Sequence, residues 1–598
     1  MKYRSGQHAL VLLMARPRAG MRIAFLPALS TLFLLCASVL FGLALVSILI
    51  VRLIDLDYVH NNARLRPISI ASKAEMRDAA SALPLDLGSS NTSIVLSTIT
   101  WRSKNSELYY GCSNPSRHFH RADELQSNGY LMIVTSGGLN QQRTGITDAV
   151  VVARLLNATL VVPDLDHHSY WKDSSNFSDI FDVNWFIKIL APDVVVIKQL
   201  PLTISKAMTK RLVSMRVPRK CSPQYYKSKI LPVLQKKQVL RLTKFDYRLS
   251  NKLDLDYQKL RCRVNYNALR FTEPISDMGH LLIGRIRQLS SQYIALHLRF
   301  EPDMLAFSGC YYGGGEKEIN ELGAIRKRWK TLHAKNSEKE RRNGKCPLTP
   351  GEVGLMLKAF GFGNDSVLYV ASGEVYGGDA SLAPLKALFP NLLTKETLAS
   401  KEELRPFLQY SSRMAAIDYI VCEQSDVFVA NNNGNMARIL AGHRRFSGHK
   451  RTIRPNIKKL GSVFLARSEL SWDQFSAKVR ACQKGFTGEP NEIKPGRGEF
   501  HENPAACICK KSAAKEKLEY FREQQINQIV NSNDEDLQNI EHDVDELENT
   551  DDQFGNYTAF TDAESLEDQI HIELPDGRDT GELPNQDGDM EDFLWFED

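Results

Sequence analysis

His297, Arg299, Glu301 and Asp303 stand at alternate positions in the run YIALHLRFEPDMLAFSGC, Tyr293 to Cys310. An imidazole, a guanidinium and two carboxylates so close together can bind an anion, orient a polar substrate or move a proton. The planar, permanently charged guanidinium of Arg299 suits a diphosphate, to which it can make two parallel hydrogen bonds. Glu301 and Asp303 have the chemistry of general bases. Locally, a plainer reading carries equal weight: a buried Arg–Glu pair that only fixes the end of a strand.

The element that must position these groups is the first half of the same run. Tyr293 to Leu298 is apolar and β-prone, with the mostly polar cluster Gln288-Leu289-Ser290-Ser291-Gln292 upstream, and it reads as a buried strand. A strand sends alternate side chains to one side, and open α/β proteins place ligands where core strands emerge. Earlier in the chain, Tyr130 to Thr135 predicts a strand, Ser136-Gly137-Gly138 a sharp turn, Leu139 to Asn157 a helix and Thr159 to Val162 the next strand. That unit implies a parallel sheet with a right-handed crossover. Asp193–Lys198, Val367–Ala371 and Asp426–Ala430 predict further strands. Ser411–Glu423 and Gly434–His443 predict helices, and Thr349-Pro350-Gly351-Glu352 a capped helix start. Two α/β runs thus flank the central strand.

Each run contains a strand–glycine–helix turn. At the first, Gly138 permits close backbone approach, the helix N-terminus attracts anions, and Asn140 and Arg143 can bond sugar hydroxyls or phosphate. It is neither a dinucleotide fingerprint nor a phosphate loop, and taken alone it is a structural turn. The second, Asn431-Asn432-Asn433-Gly434, precedes a basic cluster of His443, Arg444, Arg445, His449, Lys450, Arg451 and Arg454. Such clusters are usually solvated faces, but after this turn one would suit a nucleotide diphosphate. Asp164-Leu165-Asp166 offers hard oxygen ligands for a divalent cation. A helix-capping loop is the better reading of that pair, and no metal site is assigned.

At 598 residues the chain holds several domains. Its net charge of +6 hides an asymmetry: from Val530 onward 24 Asp and Glu face Arg578 alone, leaving about +29 on the rest. A basic body suits anionic ligands such as nucleotide-sugars or acidic polysaccharides. Residues 23–51 carry no charged side chain, more than the roughly 20 needed to span a bilayer. Basic residues precede this stretch, which predicts a signal-anchor in type II orientation and argues against nucleic acid as partner. Nine cysteines follow it, so in an oxidising lumen at least one lacks an intrachain partner. Sequons stand at Asn91, Asn157, Asn176, Asn364 and Asn556, with Asn157 in an apolar helix-to-strand passage.

The blocks GGLNQQRTGITDAVVVARLLNATLVVPDLDHHSYW, KLRCRVNYNALRF, YIALHLRFEPDMLAFSGC, GKCPLTPGE and AAIDYIVCEQSDVFVANNNGNMARILAGHRRFSGHKRTI occur in that order. Together they resemble the plant O-fucosyltransferase-like family, which includes pectin rhamnosyltransferases and is distantly related to animal protein O-fucosyltransferases. The resemblance implies an α/β, GT-B-like fold of two Rossmann-type domains around a cleft, with inverting, metal-independent transfer from a nucleotide-sugar. The family's His-x-Arg motif matches His297-Leu298-Arg299 and its Gly-x-Asn turn matches Gly138-Leu139-Asn140. Donor contacts are therefore expected from these residues together with Arg143, Asn433 and Arg444, and catalysis from Arg299, Glu301 and Asp303. Phe300-Glu301-Pro302-Asp303-Met304 departs from the Gly and Asp-Trp of animal relatives, and Gln424 separates Glu423 from Ser425-Asp426.

The expected organisation is a cytosolic segment (1–22), an anchor (23–51), a stem (52–125), two Rossmann-like domains (126–290 and 291–510) and a disordered acidic tail (511–598). The expected function is a Golgi O-fucosyltransferase moving fucose from GDP-fucose to a glycan or protein hydroxyl, without a further cofactor. The alternatives are a UDP-rhamnose-dependent pectin rhamnosyltransferase, a metal-dependent GT-A enzyme using Asp164 and Asp166, and a non-catalytic glycan-binding protein.

Overall fold

The computed structural model describes residues 101–103, 106–122, 126–168, 172–204, 212–328, 336–432, 434–483, 485 and 505–511. The charge-free stretch 23–51, most of the stem, Asn91, Asn433, Asn556 and the acidic tail lie outside the described residues. Among the described residues no helix is long and apolar enough to cross a membrane.

Strand β1 (Tyr109–Gly111) pairs antiparallel with the last strand, β12 (Ile508–Lys510). The ten strands between them form two parallel sheets. The first contains β2 (Tyr130–Ile133), β3 (Thr159–Val161), β4 (Val196–Ile197), β5 (Val213–Met215) and β6 (Val239–Leu242), in the order β4-β3-β2-β6-β5. The second contains β7 (Tyr293–His297), β8 (Val367–Ala371), β9 (Leu392–Leu393), β10 (Val427–Ala430) and β11 (Thr452–Ile453), in the order β11-β10-β7-β8-β9. The central strand of the second sheet is thus the run that carries the His-x-Arg motif.

β7, β8 and β10 are buried at every position, as strands of a parallel sheet covered on both faces must be. Their alternation sorts the core. Tyr293 and Ala295 join the cluster that includes Leu131, Ile133, Leu160 and Leu240 of the first sheet. Ile294 and Leu296 join a second cluster with Val353 and Met356. His297 is the next odd position, so it leaves the strand on the side shared with the first sheet.

Five helices matter for the site: α1 (Leu139–Leu156), α2 (Glu273–Leu289), α3 (Pro350–Ala359), α4 (Ser411–Gln424) and α5 (Asn435–Phe446). α2 packs tightly on α4. A Cβ on Gly279 would lie 2.7 Å from Ile420 Cγ2, so only glycine permits that approach. α3 starts with the expected capping box: Thr349 Oγ1 accepts from Glu352 N at 3.2 Å, and Glu352 Oε2 accepts from Thr349 N at 2.8 Å. Thr349→Ala should therefore cost about 1 kcal/mol of stability, readable as a lower urea midpoint. An unchanged midpoint would show the box to be energetically idle.

The expected strands are mostly present but shorter. β4 is confined to Val196–Ile197, because Asp193 is held instead by Arg263 at 2.5 and 2.9 Å. β5, β6 and α2 were not anticipated. In β6 the sequence VLRL is interrupted by Arg241, whose Nε donates to Ser214 Oγ of the edge strand β5 at 2.9 Å. Three disulfides, Cys112–Cys509, Cys262–Cys507 and Cys310–Cys346, leave Cys221, Cys422 and Cys482 as free thiols among the described residues. The odd cysteine count is thereby accounted for. The Cys507-x-Cys509 pair fastens β12 to the body at two points far apart in sequence.

Candidate active site at the carboxyl ends of the two sheets

Past the end of β7 the chain is laced to β10. Arg299 N donates to Asn431 Oδ1 at 2.7 Å, and Asn431 Nδ2 donates to the carbonyls of Leu348 and Arg299 at 3.1 and 3.3 Å. The guanidinium is then clamped. Nη1 lies 2.7 Å from Glu301 Oε2, and Nη2 lies 2.9 Å from Asp303 Oδ2. Glu301 is anchored in turn, its Oε1 accepting from Gly373 N at 3.0 Å and Ser372 Oγ at 3.4 Å, just past β8. Burial by itself would lower the Arg299 pKa, but the two carboxylates more than reverse that, and the guanidinium stays charged.

This geometry changes the reading of Glu301 and Asp303. Both carboxylates are occupied by Arg299, and Glu301 also by the 372–373 turn, so they orient the guanidinium and do not stand ready as general bases. Leu298 is corrected too: its side chain is fully buried in the second core cluster and offers nothing to a ligand. His297 is buried, and desolvation, followed by the positive charges of Arg299 and Lys395, pulls its pKa down to about 3. The ring is therefore neutral, and its buried Nδ1 has no hydrogen-bond partner.

At the carboxyl end of β2 the turn is built by side chains. Gly137 has φ +85°, a conformation that favours glycine. Its N–H donates to Asp166 Oδ2 at 2.9 Å, while Gln142 Nε2 donates to its carbonyl at 2.8 Å. Asp166 Oδ1 accepts from His168 N at 2.9 Å. Asp166 thus spends both oxygens on backbone N–H groups of two turns and caps no helix; the next helix, Phe177–Ile180, is capped by Asn176 instead. Gly138 is the N-cap of α1 and leaves it without a side-chain cap. Asn140 sits in the first turn, buried, and its Oδ1 has no partner.

The two carboxyl ends are joined. Tyr247, which follows β6, donates from its hydroxyl to Asn435 Oδ1 at 2.5 Å, at the start of α5. Gly434 is the N-cap of α5 and, like Gly138, supplies no side-chain cap. Gly138 and Gly434 thus leave two helix N-termini without a side-chain cap, each a favourable place for negative charge.

Two expected ligand contacts, Arg143 and Arg444, are set in the core. Arg143 is 1% exposed; its Nη2 donates to Asn265 O at 2.9 Å and its guanidinium lies 4.4 Å from the Tyr419 ring centre, while its buried Nη1 has no hydrogen-bond partner. It packs α1 against α4 inside the core. Arg444 is fully buried, donating to the carbonyls of Cys422, Glu423, Ser425, Asp426 and Arg451 and to Thr452 Oγ1. Its planar fork gathers chain ends and has nothing left for a diphosphate. Asn433 lies outside the described residues. Of the sequons, Asn176 and Asn364 are exposed, whereas Asn157 is half-buried as the left-handed C-cap of α1, its amide donating to the Gln126 carbonyl.

Sequence reasoning passed over Ser372, Gly373 and Tyr247. A Ser-Gly pair directly after VLYVA was a usable signal for the first two. Nothing local marks Tyr247, whose φ of +45° and hydrogen bond to the distant Asn435 exist only in the fold.

Polar side chains gathered at the carboxyl ends of two parallel α/β sheets mark the place where open α/β folds bind ligands. The family described as GDP-fucose protein O-fucosyltransferase matches residues 130–447, and the chain belongs to that family and is a glycosyltransferase. It is 64% identical to Protein ROOT HAIR SPECIFIC 17 of Arabidopsis thaliana over 71% of this chain and 77% of that protein. O-fucosyltransferase 6 of the same plant is 61% identical over 73% and 78%. Rhamnogalacturonan I rhamnosyltransferase 1, also of Arabidopsis thaliana, is 43% identical over 64% and 77%. Among solved structures, POFUT1 in complex with GDP matches at 16% identity and a TM-score of 0.35, covering 55% of this chain and 98% of that one.

Proposed function

We propose that the chain moves fucose from GDP-fucose to a hydroxyl of a glycan or protein acceptor, with inversion and without a metal, in a GT-B-like arrangement. The observation that carries this is a pair of buried, unpartnered polar atoms, Asn140 Oδ1 and His297 Nδ1, one at the carboxyl end of each sheet. A buried polar atom without a partner costs roughly 1–3 kcal/mol. A ligand spanning the two ends would satisfy both.

In this reading the acceptor oxygen attacks the sugar's anomeric carbon while the bond to the β-phosphate oxygen breaks, GDP leaves with the bonding electrons, and the acceptor hydroxyl's proton passes to the departing β-phosphate oxygen. Arg299, held rigid by Glu301 and Asp303, stabilises the charge that grows on the diphosphate. Neutral His297 positions the donor, and Asn140 holds it from the first sheet. A lumenal body on a Golgi type II anchor would supply the oxidising compartment that three disulfides need. The second reading, rhamnose from UDP-rhamnose, is favoured by the 43% identity to a rhamnosyltransferase.

The test is turnover of GDP-fucose and of UDP-rhamnose by the full-length protein, with and without EDTA. Nucleotide release from GDP-fucose, unchanged by EDTA, is the expected result. Preference for UDP-rhamnose moves the assignment to the second reading. Activity lost with EDTA, and lost again in Asp166→Ala, would overturn the metal-independent mechanism. Binding of neither donor would leave a glycan-binding protein.

A further inference from the structure

Lys395 is an unexpected residue in this fold. It opens a short helix, Lys395–Leu398, after the edge strand β9, yet its side chain runs inward and the residue is only 4% exposed. Its Nζ donates to Asp418 Oδ2 at 3.0 Å and to the carbonyl of Ser372 at 2.6 Å. Asp418 lies on α4 and also accepts from the Tyr369 hydroxyl at 2.6 Å. Glu396 is the remaining carboxylate near the ammonium, at 3.6 Å.

A buried Lys–Asp pair rarely adds net stability, because desolvating two charges offsets their attraction. Stability alone is therefore a weak reason for it. What the pair touches is more informative. Ser372 and Gly373 form the turn that donates to Glu301, and Glu301 clamps Arg299. The turn follows the end of β8 and carries a glycine, so little of its own sequence fixes where the Gly373 N–H points. The ammonium holds it from below through the Ser372 carbonyl. A chain of direct contacts thus runs Lys395, Ser372–Gly373, Glu301, Arg299.

We infer that Lys395 is a positioning residue for the transfer reaction: by fixing the Ser372–Gly373 turn it sets the Glu301 carboxylate, and so the direction of the Arg299 fork. This rests on the reading of Arg299 as the diphosphate-stabilising group. Asp418 keeps the ammonium charged and in place. Tyr369 touches Asp418 and plays no part in the chain of contacts.

The test compares full-length variants for GDP release from GDP-fucose, for the KM of that donor and for thermal midpoint. Lys395→Met alone strands a buried carboxylate and risks misfolding, so the informative variant is Lys395→Met/Asp418→Asn, which removes both charges and keeps an acceptor for Tyr369. The expected result is a near-normal midpoint, a donor KM within a few-fold and a kcat reduced by roughly 10- to 100-fold, since a misplaced transition-state contact costs about that much. Tyr369→Phe should keep turnover within about 2-fold. Full turnover in the double variant, or an equal loss in Tyr369→Phe, overturns the positioning role. Arg299→Lys is measured beside them. If it too retains full turnover, the Arg299 reading falls and this inference with it. If only the double variant is active, the Lys395 inference alone is refuted.

Discussion

Arg299→Lys should lower kcat for transfer by roughly 10²-fold or more while the protein stays folded, and this is the largest effect expected of any conservative change. Lysine keeps the positive charge that Glu301 and Asp303 need, but loses the planar fork that meets both at 2.7 and 2.9 Å. The orientation of the charge is lost, not the charge. Removing a donor aimed at a developing anion costs about 10²–10³ in rate. Arg299→Ala is the harsher experiment and the less clean one. It leaves two carboxylates without their cation in a buried site, and breaking such a pair costs about 3–5 kcal/mol. A stable Arg299→Lys protein with normal kcat would return Arg299 to its plainer role as a structural ion pair.

The second large effect is acid sensitivity. His297 and His449 are buried and His443 is half-buried, and their pKa values are lowered to about 3, about 4 and about 4, in each case chiefly by desolvation. The unfolded chain protonates these rings near pH 6.5, whereas the folded protein does not until far lower. The unfolded state therefore binds more protons between those values, and stability falls as pH drops below about 6.5. Three such groups give a slope approaching about 4 kcal/mol per pH unit before each levels off below its folded pKa. The midpoint of urea unfolding should drop markedly between pH 7 and pH 5, and His449→Gln should remove about a third of the slope. Equal midpoints at the two pH values would contradict the neutral state of these rings.

How far the sequence carries the fold can be read from particular residues. The unbroken apolar runs of β7, β8 and β10 announce buried parallel strands, since every side chain in them meets a core. The turn at Gly138 and the box at Thr349 are local patterns with local causes, and both are present. β6 is different: its Arg241 is accommodated by a serine on a neighbouring strand, a partner that sequence distance conceals. The site divides in the same way. His297, Arg299, Glu301, Asp303 and Asn140 were legible because motif spacing places them at strand and helix ends. Their roles were less so. Glu301 and Asp303 have the composition of bases, and only the 2.7 and 2.9 Å contacts to Arg299 show them engaged elsewhere. Arg444 looks like a ligand cation in sequence, but it is saturated by carbonyls. Lys395 was silent, because a lone lysine opening a four-residue helix gives no hint that it reaches Ser372 at the carboxyl end of β8.

The central claim is that one nucleotide-sugar bridges the carboxyl ends of both sheets, held by Asn140 on one side and by the His297–Arg299 segment on the other. Amide hydrogen exchange of the full-length protein, with and without GDP-fucose and in the presence of EDTA, tests it most directly. The account predicts that residues 136–143, 297–303 and 372–375 gain protection together at the same donor concentration. Protection confined to one sheet's carboxyl end, or appearing at residues 164–168 only when a divalent cation is supplied, would contradict it.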